Sequence, residues 1–360
     1  MQRLLTVFYI LLGILIFGFL IAIHEFGHFI AAKLSGVQVN EYSINMGPKL
    51  LQTQRGETLY TLRLLPIGGY CAMEGEDEES DNPRAFNNAA WWKRLIILVA
   101  GSFMNFVAGL LIITILCAFT VKTIPDMTIH SFMDESILDE QGFELGDRFY
   151  AVDGKRVYVS SDIDMLVERH QSKIMDITVL RDGKKLTLHN VDMTKQLVTY
   201  EDGSTEYKYG FLQNLDEANF GSILRFSFYE SLDFTRMVWF GLSDLIAGKV
   251  GLKDMGGPVQ IVKVMADSGT SARTIADGIA DVFFLGAFIA VNLAVMNMLP
   301  IPALDGGRVF LLLIGTIFTA ITKKKIPSKY EGYVHAAGMV LLLGLMAVIF
   351  VKDIVQMIRP

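Results

Sequence analysis

Long apolar runs alternate with polar stretches along this 360-residue chain. Residues 4–23 carry no charge, and the apolar character continues to Ala32. Further runs cover residues 95–121, residues 282–299 and residues 334–351. A helix needs about 20 apolar residues to cross a bilayer, so these four runs predict transmembrane helices. Residues 309–321 are apolar but number only 13, and read as an extension of the third helix beyond a break. A cleaved signal peptide does not fit the first run. It is longer than a signal core and ends in His-Glu rather than a small-residue cleavage site.

Between the first two runs the pattern changes period. Gly47-Pro48 opens a strand-like stretch at residues 49–54, and Arg55-Gly56 reads as a turn. In residues 58–65, Tyr60, Leu62 and Leu64 alternate with Leu59, Thr61 and Arg63, which predicts a hairpin ending near Pro66. Residues 74–81 hold six acids in eight positions, the composition of a solvated loop. Trp91, Trp92, Lys93 and Arg94 then form an interfacial anchor for the second helix. On that helix Gly101, Asn105 and Gly109 recur every four residues, a face suited to close helix packing.

Residues 124–205 are more charged. Short strands are predicted at residues 149–152, 157–159, 177–180 and 186–188, with turns at Asp153-Gly154 and Asp182-Gly183, and a helix at residues 161–170. This is the content of one small α+β domain. His130, His170 and His189 lie there without metal-ligand spacing. Residues 220–252 mix aromatic and charged positions and read as an amphipathic helix flanking the membrane, ended by Gly256-Gly257-Pro258.

Composition adds little to this pattern. The chain is 52% hydrophobic, and its net charge of −6 gives no nucleic-acid signal. Two cysteines, Cys71 in a loop and Cys117 in an apolar run, cannot build a disulfide framework. Basic residues set the orientation. Lys33, Lys49, Arg55, Arg63, Arg84, Lys93 and Arg94 lie between the first two helices, and Lys323, Lys324, Lys325 and Lys329 between the last two. Both loops are therefore expected in the cytosol, with both termini and residues 122–274 outside.

The chemistry sits at the end of the first run, in His24-Glu25-Phe26-Gly27-His28. On a helix, His-Glu-x-x-His puts two imidazoles on one face, where both reach one zinc ion, and its Glu is the usual general base of a metal hydrolase. Ionisable groups at membrane depth are costly unless they have partners or a function. Late in the chain, Asn297-Met298-Leu299-Pro300-Ile301-Pro302-Ala303-Leu304-Asp305-Gly306-Gly307 breaks a membrane helix with two prolines. Broken backbone at that depth lines a cavity or protein interior, so Asp305 is a candidate third ligand.

These motifs, with Gly101-Ser102-Phe103-Met104-Asn105-Phe106 and Gly256-Gly257-Pro258, resemble the site-two protease family in the same order over nearly the whole chain. The likeness is greatest to the bacterial regulator-of-sigma-E protease branch. The resemblance implies an intramembrane zinc metalloprotease with His24, His28 and Asp305 on Zn2+, Glu25 as catalytic base and Asn297 beside the catalytic centre. It implies that Gly142 through Gly154 belong to a PDZ domain, with room for one such domain rather than a tandem pair. It maps a membrane-associated hairpin to residues 46–70.

The expected fold is a polytopic α-helical membrane protein of about four transmembrane helices, with a membrane-associated β-hairpin and one inserted extracytosolic α+β PDZ-like domain. The expected boundaries are residues 1–121 and 275–360 for the membrane parts, 122–215 for the PDZ-like domain and 216–274 for an amphipathic linker. The expected partners are the lipid bilayer of a bacterial inner membrane and single-span membrane substrates, such as anti-sigma factors and remnant signal peptides, with no nucleic acid. An inactive membrane scaffold holding partners through its PDZ-like domain and a metal transporter are the rival classes. A transporter more often shows repeated halves and several intramembrane charges, and this chain shows neither.

Overall fold

A computed structural model describes residues 2–76, 78–133, 136–170, 172–199, 205–251, 256–324 and 328–358. Asp77 of the acidic run, Leu252 at the end of the amphipathic segment and Lys325 of the basic loop lie outside the described residues. The helices are α1 (Gln2–Ser35), α2 (Trp91–Thr120), α3 (Ser160–Glu168), α4 (Phe220–Ile246), α5 (Pro258–Ser271), α6 (Ile275–Asn297), α7 (Asp305–Thr322) and α8 (Ser328–Ile358). The strands are β1 (Val39–Arg55), β2 (Thr58–Met73), β3 (Thr123–Phe132), β4 (Arg148–Val152), β5 (Lys155–Arg156), β6 (Ile174–Arg181), β7 (Lys184–Asp192), β8 (Gln196–Thr199), β9 (Thr205–Lys208) and β10 (Phe211–Glu217). They form two compact units, residues 1–113 with 238–360, and residues 114–237.

Among the described residues, five helices are long and apolar enough to cross a membrane: α1, α2, α6, α7 and most of α8. That is one more than the four predicted runs. The extra one is α7, which has 18 residues rather than 13 because it begins at Asp305. A carboxylate in the first turn is favoured by the unpaired N–H groups and dipole of a helix start.

The two halves of α1 pack against different partners. Tyr9, Ile16 and Leu20 form one buried cluster with Met265 and Ala266 of α5 and Val282, Ile289 and Ala290 of α6. Ala31 and Ala32 join a second with Cys71 and Met73 of β2, Ile97 and Leu98 of α2, and Val309 and Leu312 of α7. The end of α1 that carries the histidine motif is thus wedged between the hairpin, α2 and α7. Cys71 and Cys117 are buried free thiols, with Cys71 in a strand rather than the predicted loop.

The hairpin is longer than predicted and does not end at Pro66. Glu41, Tyr42, Ser43 and Ile44 pair with Ala72, Cys71, Tyr70 and Gly69 on one side, and with Leu59, Tyr60, Thr61 and Leu62 on the other. Leu51, Gln52, Thr53 and Gln54 also pair with Leu62, Thr61, Tyr60 and Leu59. The strands therefore fold back, and the first half of β1 lies between the two halves of β2. Asn45 (φ 68°), Gly47 (φ 85°) and Gly68 (φ 80°) sit where partners change. Asn and Gly adopt this left-handed backbone most readily.

Gly256-Gly257-Pro258 does not simply end the amphipathic helix; it opens α5, with Gly257 as N-cap and Pro258 in the first turn. Proline suits that place because its missing N–H is unpaired there anyway. Asp353 of α8 accepts from the N–H groups of Gly257 (3.4 Å) and Gln260 (3.3 Å), satisfying the helix start from a distant element.

The second unit holds a sheet in the order β10-β3-β4-β6-β7, with β5 paired to β4 and a separate β8-β9 hairpin. Asp153 (φ 45°) with Gly154 (φ 73°), and Asp182 (φ 50°) with Gly183 (φ 74°), make the tight turns expected of Asp-Gly. β3, β8, β9 and β10 were not predicted, and residues 157–159 form no strand. α3 is locked to α4 by Asp162, which accepts from the N–H groups of Tyr158 and Val159 and pairs with Arg236. Buried beside it, the carboxyl groups of Asp233 and Glu230 are pushed upward, chiefly by loss of water.

Candidate metal centre

Each donor of the candidate centre owes its place to a neighbouring backbone. His24 and His28 are one turn apart on α1, and α2 crosses them. The helices touch where each has a glycine. A Cβ on Gly27 would lie 2.8 Å from the Ala100 carbonyl carbon, and one on Gly101 would lie 2.8 Å from His24 Cε1 and closer still to His28 Nε2. Only hydrogen at these positions admits two imidazoles between the helices. His28 Nδ1 lies 2.8 Å from the Ile97 carbonyl oxygen. A carbonyl only accepts, so Nδ1 carries the proton and the Nε2 lone pair is free.

Asp305 reaches the same point from the start of α7. The preceding loop folds across that helix end, and a Cβ on Gly306 or Gly307 would collide with the backbone of Met298 or Ile301. The loop is pinned from α8, where Gly338 lies against Pro302, and Ala303 is held in the left-handed region at φ 85°. Asp-Gly-Gly is thus a tight packing element as well as a carboxylate carrier.

The three donor atoms form a nearly equilateral triangle. His24 Nε2 is 3.2 Å from His28 Nε2, and the two nitrogens are 3.1 Å and 3.2 Å from Asp305 Oδ2. A tetrahedral ion with bonds of about 2.0 Å separates its ligands by about 3.3 Å. Asp305 Oδ2 is buried without a hydrogen-bond donor, and the His28 lone pair faces it. Lone pairs converging in a dry site repel unless a cation lies between them. The donor set of two imidazoles and one carboxylate fits zinc, with a fourth position left over. Among the described residues, His24, His28 and Asp305 are the one group of His, Cys, Asp or Glu side chains arranged to hold a metal.

Glu25 belongs to the same electrostatic cluster as the three donors and is hydrogen-bonded to the Cys71 backbone. Its Cγ would lie 3.1 Å from a Cβ on Gly69, which puts the outer segment of β2 against the motif. Asn297 is the last residue of α6. Among the described residues, no hydrogen bond joins it to the three donors. His130, His170 and His189 are exposed, and the last two pair with Asp153 and Asp176. A cavity of about 760 Å³ in the second unit, lined by Ser160, Ile163, Lys195, Tyr209, Phe211 and Gln213 among others, contains none of the donor residues. Sequence reasoning missed the Ile97 carbonyl, a backbone group with no side-chain signature.

Fold and site together have the form of a membrane-embedded metallopeptidase. Comparison with known proteins agrees. The signature of peptidase family M50 covers residues 12–345. A relative from Clostridium perfringens, provisionally named a zinc metalloprotease, is 36% identical over 96% of this chain and 98% of its own length. A similarly named relative from Clostridium acetobutylicum is 36% identical over 99% of this chain and 100% of its own. The regulator of sigma-W protease RasP of Bacillus subtilis is 27% identical over 95% of this chain and 97% of its own. The chain belongs to peptidase family M50, the site-two protease family that its motifs resemble, and is an integral membrane protease.

Proposed function

We propose that this chain is a zinc-dependent endopeptidase that cuts single-span membrane proteins within their transmembrane segments. The convergence of His24, His28 and Asp305 beside Glu25 carries this reading. His24, His28 and Asp305 would hold the zinc, which when bound would supply Lewis acidity and a water made nucleophilic near neutral pH. Glu25 takes the proton from the attacking water and returns it to the leaving amine. Asn297, at the end of α6, donates to the developing oxyanion. The name of the Bacillus relative, a regulator of sigma-W protease, supports substrates of the anti-sigma type; single-span remnants such as signal peptides already shortened on their outer side are a second expected class.

The test is cleavage of a single-span reporter by the purified chain in lipid vesicles. Chelation should abolish it and added zinc restore it. Cleavage that persists without zinc excludes the metallopeptidase; no cleavage under any metal condition leaves the scaffold or transporter.

A transmembrane substrate hides its backbone in a helix, and unwinding leaves polar groups unpaired at several kcal/mol each in a low-dielectric site. A neighbouring sheet edge offsets this cost by accepting the chain as an added strand. The segment suited to that role is Gly69–Met73 of β2, which pairs with β1 on one side and meets Glu25. Residues 58–62 are instead interior to the sheet, so proline there would test sheet integrity rather than substrate pairing. Gly69→Val should obstruct the edge and also press on Glu25, lowering cleavage about tenfold or more while zinc stays bound; recovery with an unwound substrate marks the part due to the edge. A helix-breaking pair of residues in the substrate should recover part of the loss. Normal cleavage by the valine variant would leave the hairpin without a substrate role.

The second unit is read as the PDZ-like domain, supported by α3 lying along the cavity beside the edge strand β10. By the distribution of basic residues this unit and both termini face outside, an even number of crossings in which α6 and α7 together make one broken span. A cysteine at Asp182 should react with an impermeant reagent in intact cells, and one at Lys324 only after permeabilisation. The reverse pattern would place the second unit in the cytosol.

A further inference from the structure

The Asn105 carboxamide meets His24 Nδ1 at 3.2 Å in a buried site. Which end of the amide faces the ring has consequences. If the amide nitrogen donates to Nδ1, the ring proton moves to Nε2, the atom that faces His28 and Asp305. The Asn105 Oδ1 atom then stays buried with no partner. Turning the carboxamide end for end removes the tautomer conflict. Oδ1 accepts from Nδ1–H, and the Nε2 lone pair of His24 points at the other two donors.

His28 is held in the same way, through Nδ1 to the Ile97 carbonyl. Ile97, Gly101 and Asn105 are spaced four residues apart on α2. One face of that helix thus offers an acceptor for His28, a gap for both rings and an acceptor for His24. Asn105 is 1% exposed, so water does not substitute for it. We infer that Asn105 is a positioning residue of the metal centre, fixing His24 in the tautomer that ligates through Nε2. Such outer groups orient a ligand ring and raise its basicity. This inference rests on His24 being a zinc ligand.

The test compares zinc retention by the full chain in detergent against a chelator, for Asn105→Leu, Asn105→Asp and His24→Ala. The leucine variant has the bulk but no acceptor and should lose zinc affinity by about 10- to 100-fold, the usual effect of deleting an outer acceptor. The aspartate variant keeps the acceptor and should hold zinc as wild type does. Unchanged affinity in the leucine variant, or an equal loss in both, overturns the inference. His24→Ala tests the ligand assignment separately, because that assignment fails if the alanine variant keeps its zinc.

Nitrogen NMR of labelled histidine in the zinc-loaded wild type is independent of whether the leucine variant folds. His24 should show a protonated Nδ1 and a metal-bound Nε2. The opposite pattern overturns the inference.

Discussion

Glu25→Gln is expected to leave the chain folded and zinc-loaded while turnover falls roughly 10²-fold or more, the usual contribution of a positioned general base. Glutamine matches glutamate in shape and keeps an acceptor for the Cys71 backbone, so the contact between α1 and β2 survives. His24, His28 and Asp305 are untouched. Glutamine cannot take a proton from water, and only that step is lost. Elemental analysis and reporter cleavage measured together separate the effects. Near-normal turnover with bound zinc would remove Glu25 from the proton path and overturn the mechanism.

Gly101→Ala should destroy the centre without altering any donor. The added methyl group would lie 2.8 Å from His24 Cε1 and nearer to His28 Nε2, the donor atom itself. Retreat of α2 would open its close backbone contact at Ala100 with Gly27. The rings must turn away, and zinc retention should fall by about 10²-fold, as when ligands lose their orientation. Gly109→Ala is the control. Its methyl group would crowd Val291 at 2.8 Å and the Ala287 carbonyl oxygen at 3.0 Å, which strains the contact with α6 but leaves the rings alone. Equal zinc retention in both variants would show that the gap at Gly101 serves packing only.

The residues that the structure brings together at the centre could be named from the sequence because each carried a signal of its own. His24 and His28 share one helical face by spacing, and Asp305 follows two prolines in an apolar run. What surrounds them was less legible. Gly101 and Asn105 stood out as a small-and-polar stripe, but nothing in the spacing says that imidazoles fill the gap. The Ile97 carbonyl is present in every residue type.

The hairpin pattern gave two strands and a turn. The fold-back that makes Gly69–Met73 the outer segment depends on Asn45, Gly47 and Gly68, whose backbone freedom permits a bend without naming its partner. β3 and β10 pair across nearly the whole second unit, with Thr123 opposite Glu217, and no local pattern reports contacts at that separation. Pro258 did carry a signal for α5, as a first-turn proline. Its other half, Asp353, is supplied from α8.

His24 and Asp305 meet across 281 residues of chain. A ribosome has therefore made most of the polypeptide before the third donor exists, and α7 must reach α1 before the centre is whole. Closing so long a loop adds little further entropy cost, because that cost grows only slowly with length; the delay is one of timing. The nascent chain enters a membrane full of single-span helices with its histidine motif already in place, yet without the carboxylate that completes the set. A polypeptide cut short before α7 would stay in this unarmed condition, which makes the order of synthesis itself a safeguard against premature proteolysis.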